Sequence, residues 1–345
     1  MAKVTPVSAI LILLLPVVVA VFLYQLDRFD PAPYPEQELT QKEPPLFVPK
    51  RNSHMLRGSE KIGYGQLPAP EDIAYDAKTG AIYTGCEDGW VNRVVLNASA
   101  GDPVVENWVN TGGRPLGIVH GLHGEVMVAD ADKGLLNISR DGVIELLTDE
   151  AEGVKFKLTD AVDIGPDGKL YFTDASYKYS FREYFLDLLE GRPMADSWLM
   201  IHLQKKQKSW RRCKKYYIQG PRKGTADTFI EDLPGLPDNI RYDGDGHYWI
   251  ALSTEANLWK LLQRYPFVRK VIVIVERYIG RPNTEKNGGL IAIDLDGKPT
   301  AHYYDRDMFL VSSGVKIGEH LYCGSIVFPY ITRLNVSQYP ATPAA

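Results

Sequence analysis

Three stretches of one pattern indicate the fold of this chain: DIAYDAKTGAIY at 72–83, DAVDIGPDGKLY at 160–171 and DNIRYDGDGHYW at 238–249. Each begins with Asp and carries an aromatic residue 11 positions later. A turn containing Asp and Gly separates two β-prone runs in each copy, which predicts an inner strand followed by its hairpin partner. Weaker copies are GIVHGLHGEVMV from Gly117 and GVKIGEHLYCGS from Gly314.

The spacing of these copies predicts a β-propeller. Repeats that follow one another at roughly 40 to 50 residues are typical of four-stranded blades around a central channel. A generic all-β sandwich is the alternative, but a sandwich does not require the same residue types at equal offsets. Helical periodicity is confined to the region around Tyr184 to Leu189, so the folded domain is expected to be all-β.

The inner strands of a propeller begin at its channel. The residues expected to face one another there are Glu71 and Asp72, Thr159 and Asp160, and Asp238 and Asn239. Carboxylate and amide oxygens that converge in this way suit a hard cation, above all calcium. The alternative for the Asp residues is hydrogen bonding within turns. Turn geometry does not explain Glu71 or Asn239, for which an axial metal site is favoured.

The composition excludes several functional classes. The chain has 345 residues, of which 45% are hydrophobic and 24% charged, and 39 cations against 43 carboxylates leave a net charge of −4. This apolar content argues against disorder, and the acidic balance argues against a nucleic-acid partner. Three cysteines are too few for a disulfide-rich miniprotein. The length allows one large domain or two ordinary ones.

The N-terminus predicts a membrane anchor. Residues 7–24 are VSAILILLLPVVVAVFLY, 18 residues without charge, and Lys3 precedes them. This length just suffices to span a bilayer, and the cation bias places the rest of the chain in the lumen. We therefore expect a signal anchor with a transmembrane helix at 1–30, a Pro-rich stalk at 31–55 and the propeller at 56–340. A cleaved signal peptide and a buried core helix are the alternatives.

Sequons and cysteines bear on the same topology. The predicted glycosylation sites are Asn97, Asn137 and Asn335, each in an N-x-[ST] sequence. An oxidising lumen would allow a disulfide among the three cysteines, whose odd number leaves at least one thiol unpaired. Together with the anchor, these features predict a single-pass glycoprotein of the endomembrane system, in the endoplasmic reticulum or the vacuole, with a lumenal C-terminal domain.

Longer strings carry a resemblance to a known family. They are PEDIAYD, YTGCEDGWV, GRPLGI, LTDAVDIGPDGKLYFTDASYKYSFREYFLDLLEGRP, RRCKKYYIQGPRKG and LPGLPDNIRYDGDGHYWIALS. In these strings the chain resembles plant strictosidine synthase-like proteins. It is also similar to the adipocyte plasma-membrane-associated protein of animals and, more distantly, to paraoxonases. The resemblance covers nearly all of residues 1–340 and implies a six-bladed propeller with a metal in the channel.

The resemblance to paraoxonase-like hydrolases implies a calcium site. Such enzymes hold calcium with a Glu, two Asn and an Asp-Asn pair, and the ion polarises the carbonyl or phosphoryl oxygen of the substrate. Glu71 matches the first ligand, and Asp238 with Asn239 matches the last pair. Thr159 stands in the place of the first Asn, with Asp160 beside it as a substitute.

The catalytic groups of both related reactions are missing at the matching positions. The base histidine of paraoxonases would fall at Leu116, and the nearby His120 and His123 are expected as surface or turn residues. Strictosidine synthases use a glutamate in the Pictet–Spengler condensation of tryptamine with secologanin. That glutamate would fall at 311–313, where the sequence is Val-Ser-Ser, and Glu319 is expected in a turn.

One blade is expected to be incomplete. The interval from Asp160 to Asp238 should hold a further repeat start, yet none is recognisable. Instead, MADSWLMIHLQKKQKSW at 194–210 lacks strand alternation, whereas the resemblance implies an inner strand here that carries the remaining Asn ligand. We interpret this segment as a frame-shifted translation followed by an omission, so that the fourth blade loses its inner strand. A tolerated insertion loop is the alternative.

These observations favour a membrane-anchored lumenal propeller that hydrolyses small esters or lactones with the help of calcium. A hydrolase of the arylesterase or lactonase type is favoured over a strictosidine synthase (a lyase) because the synthase glutamate is missing. Synthase activity in alkaloid biosynthesis is one alternative, and a non-catalytic lumenal binding protein is the other. The expected partners are a small-molecule substrate and the membrane.

Overall fold

The computed structural model divides the chain into two compact units. It describes residues 15, 18–34, 46–96, 103–151, 153–165, 168–192, 196–197, 213–217, 220–223, 225–281 and 285–344. The helical unit comprises the described residues of Met1–Gln41, Phe185–Arg192 and Asn257–Thr284. The strand unit comprises those of Lys42–Tyr184, Pro193–Ala256 and Glu285–Ala345.

The described part of the strand unit forms 25 strands. They are β1 (Lys50–Asn52), β2 (Glu60–Ile62), β3 (Ala74–Asp76), β4 (Ala81–Gly85), β5 (Trp90–Val95), β6 (Val104–Asn110), β7 (Pro115–His120), β8 (Val126–Asp130), β9 (Gly134–Ile138), β10 (Ile144–Thr148), β11 (Glu150–Ala151), β12 (Val154–Lys155), β13 (Thr159–Ile164), β14 (Leu170–Asp174), β15 (Asp196–Ser197), β16 (Cys213–Tyr216), β17 (Ala226–Ile230), β18 (Gly235–Tyr242), β19 (His247–Glu255), β20 (Gly288–Asp294), β21 (Pro299–Asp305), β22 (Val311–Ile317), β23 (His320–Ser325), β24 (Ile331–Asn335) and β25 (Thr342–Pro343).

Four of the sheets are complete propeller blades. Strands β3 to β6 form one four-stranded meander, β7 to β10 form a second, and β22 to β24 with β2 form a third. The fourth is a six-stranded sheet in which β18 to β21 are extended by β1 and β25. Because each blade is a meander that starts from an inner strand, the all-β, propeller-like fold is confirmed.

The three main sequence copies form the predicted hairpins. Strand β3 pairs with β4, β13 with β14 and β18 with β19, all antiparallel. An Asp side chain shapes the last of these turns, since Asp243 Oδ1 accepts the backbone N–H groups of Asp245 at 2.8 Å and His247 at 3.0 Å. The two weaker copies also form hairpins, β7 with β8 and β22 with β23.

The two ends of the chain share sheets. Strand β2 pairs antiparallel with β24, so an N-terminal strand completes the last blade. Strand β1, which lies within the predicted stalk at 31–55, pairs parallel with β21 and antiparallel with β25. The propeller is thereby closed by hydrogen bonds between segments that are far apart in sequence.

The number of six blades is not confirmed. Between the second and the last two complete blades, the described residues form the two-stranded sheet β11-β12, the three-stranded sheet β13-β14-β15 and the two-stranded sheet β16-β17. Of the segment at 194–210, the structure describes only β15, which pairs with β14. The other residues of this segment lie outside the described part of the chain. The expected loss of an inner strand in the fourth blade falls largely on this segment.

The helices are only partly as predicted. The helix Tyr184–Glu190 follows the 3₁₀ turn Phe181–Glu183 and confirms the one helical region expected from sequence. The helices Asn257–Arg264 and Pro266–Ile279, which we call the helix pair, were not predicted, since helical periodicity was recognised only around Tyr184 to Leu189. The second helix contains the β-branched run VIVIV, which weakly favours a strand, but tertiary packing overrides such propensities. Pro266 at the start and Gly280 at the end mark the second helix.

The predicted transmembrane helix is not seen among the described residues. Residues 18–26 are helical, but most of the predicted span at 7–24 lies outside the described part of the chain. No helix of the described residues is long and apolar enough to cross a bilayer.

The three cysteines are free thiols. Cys86 and Cys323 are buried, and Cys213 is half-buried. Burial raises the pKa of the Cys86 thiol to about 12, that of Cys213 to about 11 and that of Cys323 to about 12. At neutral pH these thiols are protonated and packed as small apolar groups.

We predict that His302 makes the fold sensitive to acid. Burial, assisted by the charge of Arg51, lowers the pKa of this imidazole to about 3, whereas an unfolded histidine titrates near 6.5. The stability that the neutral His302 imidazole contributes is therefore fully present above about pH 6.5 and is lost as the pH falls toward 3. By this linkage the contribution of His302 to the free energy of unfolding drops by about 2 kcal/mol between pH 7.5 and 5.

Urea unfolding at several pH values measures this effect. Between pH 7.5 and 5, the free energy of unfolding of His302→Phe should rise by about 2 kcal/mol relative to that of the wild type. His123→Gln, which changes a histidine exposed in a turn, should follow the wild type. An unaltered pH dependence in His302→Phe would contradict the assignment.

Candidate metal centre

The backbone around Glu71 is held from two other strands. Glu71 N–H donates to the carbonyl of Gly85 at 3.0 Å. The hydroxyl groups of Ser312 and Ser313, on the inner strand β22, donate to the Glu71 carbonyl at 2.7 and 2.6 Å. Strand β23 also passes close to this carbonyl group. It can do so because residue 324 is glycine, since a Cβ there would lie 2.3 Å from the carbonyl oxygen of Glu71. Glu71 is consequently buried at a defined position ahead of β3.

Glu71 and Asn239 are in direct contact. Asn239 Nδ2 donates to Glu71 Oε1 at 2.8 Å, although the two residues are 168 positions apart. The other carboxylate oxygen, Oε2, is buried and has no hydrogen-bond partner among the described residues. The structure thus brings together the two residues for which the sequence favoured an axial site.

A buried ion pair lies beside this contact. The Arg241 guanidinium pairs with both carboxylate oxygens of Asp72 and donates to the carbonyl of Ile118 at 2.8 Å. Asp72 also accepts the backbone N–H groups of Ile73 at 2.8 Å and Ile118 at 3.0 Å. Asp72 is therefore fully committed to holding the inner strands β3, β7 and β18 together, and it is not available as a metal ligand.

The Glu71 carboxyl lies in an acidic and poorly solvated environment. Burial is the main reason why its pKa is raised well above the usual range. The charges of Asp72, Asp238 and Asp160 raise this pKa further, whereas Arg114 lowers it. A group of carboxyls in such surroundings binds either protons or a cation.

Asp160 and Asp238 belong to the same acidic group. Burial and the neighbouring Asp72 and Asp174 raise the pKa of Asp160 to about 6. The pKa of Asp238 is raised well above its usual range by burial and by the charges of Asp160 and Asp72. Solvent nevertheless reaches both side chains. That these side chains line the channel of a propeller stays a prediction.

Thr159 is buried at the start of β13. Its hydroxyl has no hydrogen-bond partner within the described part of the chain. A buried hydroxyl without a partner costs free energy, so it is a position where a ligand oxygen or an ion would be stabilised.

The donor set fits a hard cation in its chemistry. Glu71, Thr159, Asp160, Asp238 and Asn239 offer only oxygen ligands, of the kinds that calcium prefers. Two of these oxygens are buried and unpaired among the described residues. No cluster of three or more His, Cys, Asp or Glu side chains able to hold a metal occurs in the described ranges. Asn239 presents its N–H to Glu71, but half a turn of its carboxamide would present Oδ1 instead, since the two amide atoms are assigned from hydrogen bonds.

Arg241 and Arg114 are site residues that the sequence analysis missed. Arg241 could have been found, because strand alternation places it on the same face as Asn239, two residues before it. Arg114 lies outside the repeat copies, and no local pattern marks it. It is buried, donates to the carbonyl of Ala69 at 3.0 Å and stacks on the ring of Phe181.

The catalytic positions of the related enzymes are occupied as expected from the sequence. Leu116 is fully buried, and Glu319 is exposed in the turn between β22 and β23. His123 is exposed in a turn, as expected. The expectation for His120 was wrong, because it ends strand β7 and is half-buried, with its ring against Tyr83 at 4.9 Å between centroids. Burial lowers the pKa of this histidine.

Comparison with known proteins identifies the family. A family model described as strictosidine synthase matches residues 160–211, and one described as strictosidine synthase-like, N-terminal, matches residues 51–94. Protein STRICTOSIDINE SYNTHASE-LIKE 6 of Arabidopsis thaliana is 48% identical over 360 residues, covering 95% of each chain. The adipocyte plasma membrane-associated protein of Bos taurus is 29% identical over 363 residues, covering 88% of this chain and 85% of the relative.

Two solved structures were compared as well. A gluconolactonase of Xanthomonas campestris superposes with a TM-score of 0.42 at 10% identity, covering 86% of this chain and 98% of that one. A carbohydrate-active enzyme of Trichoderma reesei superposes with a TM-score of 0.43 at 9% identity, covering 86% and 99%. The sequence relationships alone place the protein: the chain belongs to the strictosidine synthase-like family.

We predict that the strand unit depends on the ion pair of Asp72 and Arg241. Asp72→Asn leaves the buried guanidinium without its counter-charge and should lower the free energy of unfolding by about 3 to 5 kcal/mol. Arg241→Met should cost a similar amount. In the double variant the free energy of unfolding should fall by less than the sum of the two single losses, since neither charge is then left unpaired.

Chemical denaturation of the four proteins measures the coupling. The matched control is Glu106→Gln, which breaks the solvent-exposed pair with Arg93 and should cost less than about 1 kcal/mol. Additive losses in the Asp72 and Arg241 variants would show that the pair is not a stabilising link.

Proposed function

We propose that this protein is a six-bladed, strictosidine synthase-like propeller that hydrolyses small esters or lactones with a calcium ion held in its channel. The observation that carries the proposal is the buried Glu71 carboxylate, which bonds Asn239 through one oxygen and has the other unpaired in the described part of the chain. In this proposal the sheets β13-β14-β15 and β16-β17 are the third and fourth blades.

Five side chains would hold the ion: Glu71, Thr159, Asp160, Asp238 and Asn239. When bound, calcium supplies Lewis-acid polarisation of the substrate carbonyl oxygen. The chain itself provides the surroundings for this chemistry. Ser312 and Ser313 fix the backbone of Glu71, and the Asp72–Arg241 pair fixes the strands that carry the ligands.

Synthase activity receives less support than hydrolysis. The segment that would carry the synthase glutamate holds Ser312 and Ser313, which are buried and donate to the carbonyl of Glu71. Neither hydroxyl has the acid–base strength of a carboxyl group near neutral pH. A non-catalytic binding protein is the second candidate, because buried Leu116 stands where the related hydrolases have their histidine base.

We also propose that the protein is anchored in an endomembrane by residues 1–30, with the rest of the chain in the lumen of the endoplasmic reticulum or the vacuole. The run of 18 uncharged residues at 7–24 supports this topology. The three sequons support it as well, although Asn97 lies outside the described residues.

We predict calcium-dependent hydrolysis that requires Glu71. Full-length protein in detergent should hydrolyse phenyl acetate or an aromatic lactone with calcium and should lose turnover with a chelator. Glu71→Gln should lower kcat/KM by about 100-fold or more, because the residue loses the charge that holds the ion. Glu319→Gln, which alters an exposed turn, is the control and should act like the wild type.

Thermal unfolding supplies a readout that does not depend on activity. Calcium at about 100 times its dissociation constant should stabilise the wild type by about 2.7 kcal/mol, and Glu71→Gln should lose this gain. Turnover that persists without calcium would contradict the hydrolase proposal. Stabilisation by calcium without turnover would instead favour the binding protein, and a product from tryptamine and secologanin would favour the synthase.

We predict that Asn335 carries a glycan more fully than Asn137. Asn335 ends β24, whereas Asn137 lies in the middle of a blade, where β9 pairs with both β8 and β10. Expressed in eukaryotic cells, the protein should shift in gel mobility after endoglycosidase treatment. Asn335→Gln and Ser337→Ala should each remove the same shift, since both destroy one sequon. The absence of any shift in the wild type would contradict a lumenal domain.

A further inference from the structure

We propose that the helix pair lies flat on the surface of the bilayer that receives the N-terminal apolar segment. Its exposed apolar side chains would reach the boundary between headgroups and acyl chains. The proposal concerns the helical unit alone, and it rests on the membrane anchor put forward above.

One face of the second helix is apolar and uncovered. Phe267, Val271 and Tyr278 are 57%, 43% and 64% exposed, and the terminal Ile279 is 82% exposed. Positions 267, 271 and 278 are separated by four and seven residues, so they lie on the same side of an α-helix. We call Phe267, Val271 and Tyr278 the apolar stripe, and Ile279 ends the helix beside it. A helix on the surface of a soluble protein would place charged or polar side chains there.

The other side of this helix is packed. Arg269 and Val273 are almost fully buried. Arg269 donates to the carbonyl groups of Leu189 at 2.9 Å and Glu190 at 3.2 Å. The helix therefore already has its interior partner, and the apolar stripe is a second, separate apolar surface.

The helix pair is cationic, as binding to an anionic lipid surface requires. Residues 257–279 contain five Lys or Arg residues and one carboxylate, Glu276. Arg269 is buried and Arg277 is paired with Asp27, which leaves Lys260, Arg264 and Lys270 as further cations. Cations beside exposed aromatic and aliphatic residues are typical of helices that lie in a membrane interface. Cations that are not already buried or ion-paired contribute to binding at an anionic leaflet, which favours lipid over a neutral protein partner.

The chain that leaves the apolar segment is fastened to the same helix. Lys270 Nζ donates to the carbonyl of Asp27 at 2.8 Å, and Arg277 pairs with the Asp27 carboxylate. Arg269 donates to the carbonyl of Ala32. Asp27 follows the last residue of the uncharged run, Tyr24, by three positions. If that run spans the bilayer, Asp27 lies at the headgroup level and holds the second helix there.

Position-specific fluorescence in the full-length protein tests the proposal. The native cysteines are first replaced by Ser, and Phe267→Cys or Tyr278→Cys is labelled with an environment-sensitive dye. The protein is then reconstituted in vesicles of phosphatidylcholine and phosphatidylserine. The matched control is Val143→Cys, which is exposed to a similar degree, 62%, in the strand unit.

We expect lipid-attached spin labels to quench the dyes at 267 and 278 at least about threefold more strongly than the dye at 143, as the depth of an interfacial helix implies. Aqueous iodide should show the reverse order. Equal quenching by iodide at all three positions, in protein that floats with the vesicles, would overturn the proposal and leave the anchor intact.

Two further outcomes are decisive. Protein that does not float with the vesicles would overturn both the anchor and the present proposal. Dyes at 267 and 278 that are shielded from iodide and from lipid spin labels alike would show that a second copy of this chain covers the apolar stripe, which overturns a lipid-facing role.

Discussion

The buried ion pair of Asp72 and Arg241 is the interaction on which the strand unit depends. It joins inner strands of three blades, since Arg241 on β18 contacts Asp72 ahead of β3 and Ile118 on β7. Taking two charges out of water is costly, and only good geometry with further hydrogen bonds repays the cost. Asp72 meets this condition with two backbone donors. The pair therefore fixes how the inner strands face one another.

The candidate site follows from this constraint. With Asp72 paired to Arg241, the carboxyls of Glu71, Asp160 and Asp238 remain near other carboxylates, and burial together with these neighbouring charges raises their pKa values. In the proposed site a bound cation would offset this repulsion and would also take the unpaired oxygens as ligands. In that proposal the acidic group serves the binding of a ligand and does not add to stability.

Local patterns made the fold largely predictable, and the departures have physical causes. The repeat copies predicted five hairpins because an Asp side chain that closes a turn and the alternation of a strand need only neighbouring residues. Glu71 and Asn239 were predicted to meet because both lie at the start of a repeat copy, and the inner strands of a propeller begin at one channel. The helix pair was missed because its β-branched run favours a strand locally. Arg269 and Val273, four residues apart, are both buried on one side of the helix, and this packing outweighs the local preference.

The sequence by itself determined the propeller-like class, the positions of the inner strands and the identity of the candidate ligands, because these depend on spacing and residue type within each repeat. The tertiary structure alone decided which acidic residue is neutralised, which serines hold the Glu71 carbonyl and which helical face stays uncovered. Arg241 is 169 positions from Asp72, and Ser313 is 242 positions from Glu71. Contacts of that range form only when the whole sheet arrangement closes, so no local pattern encodes them.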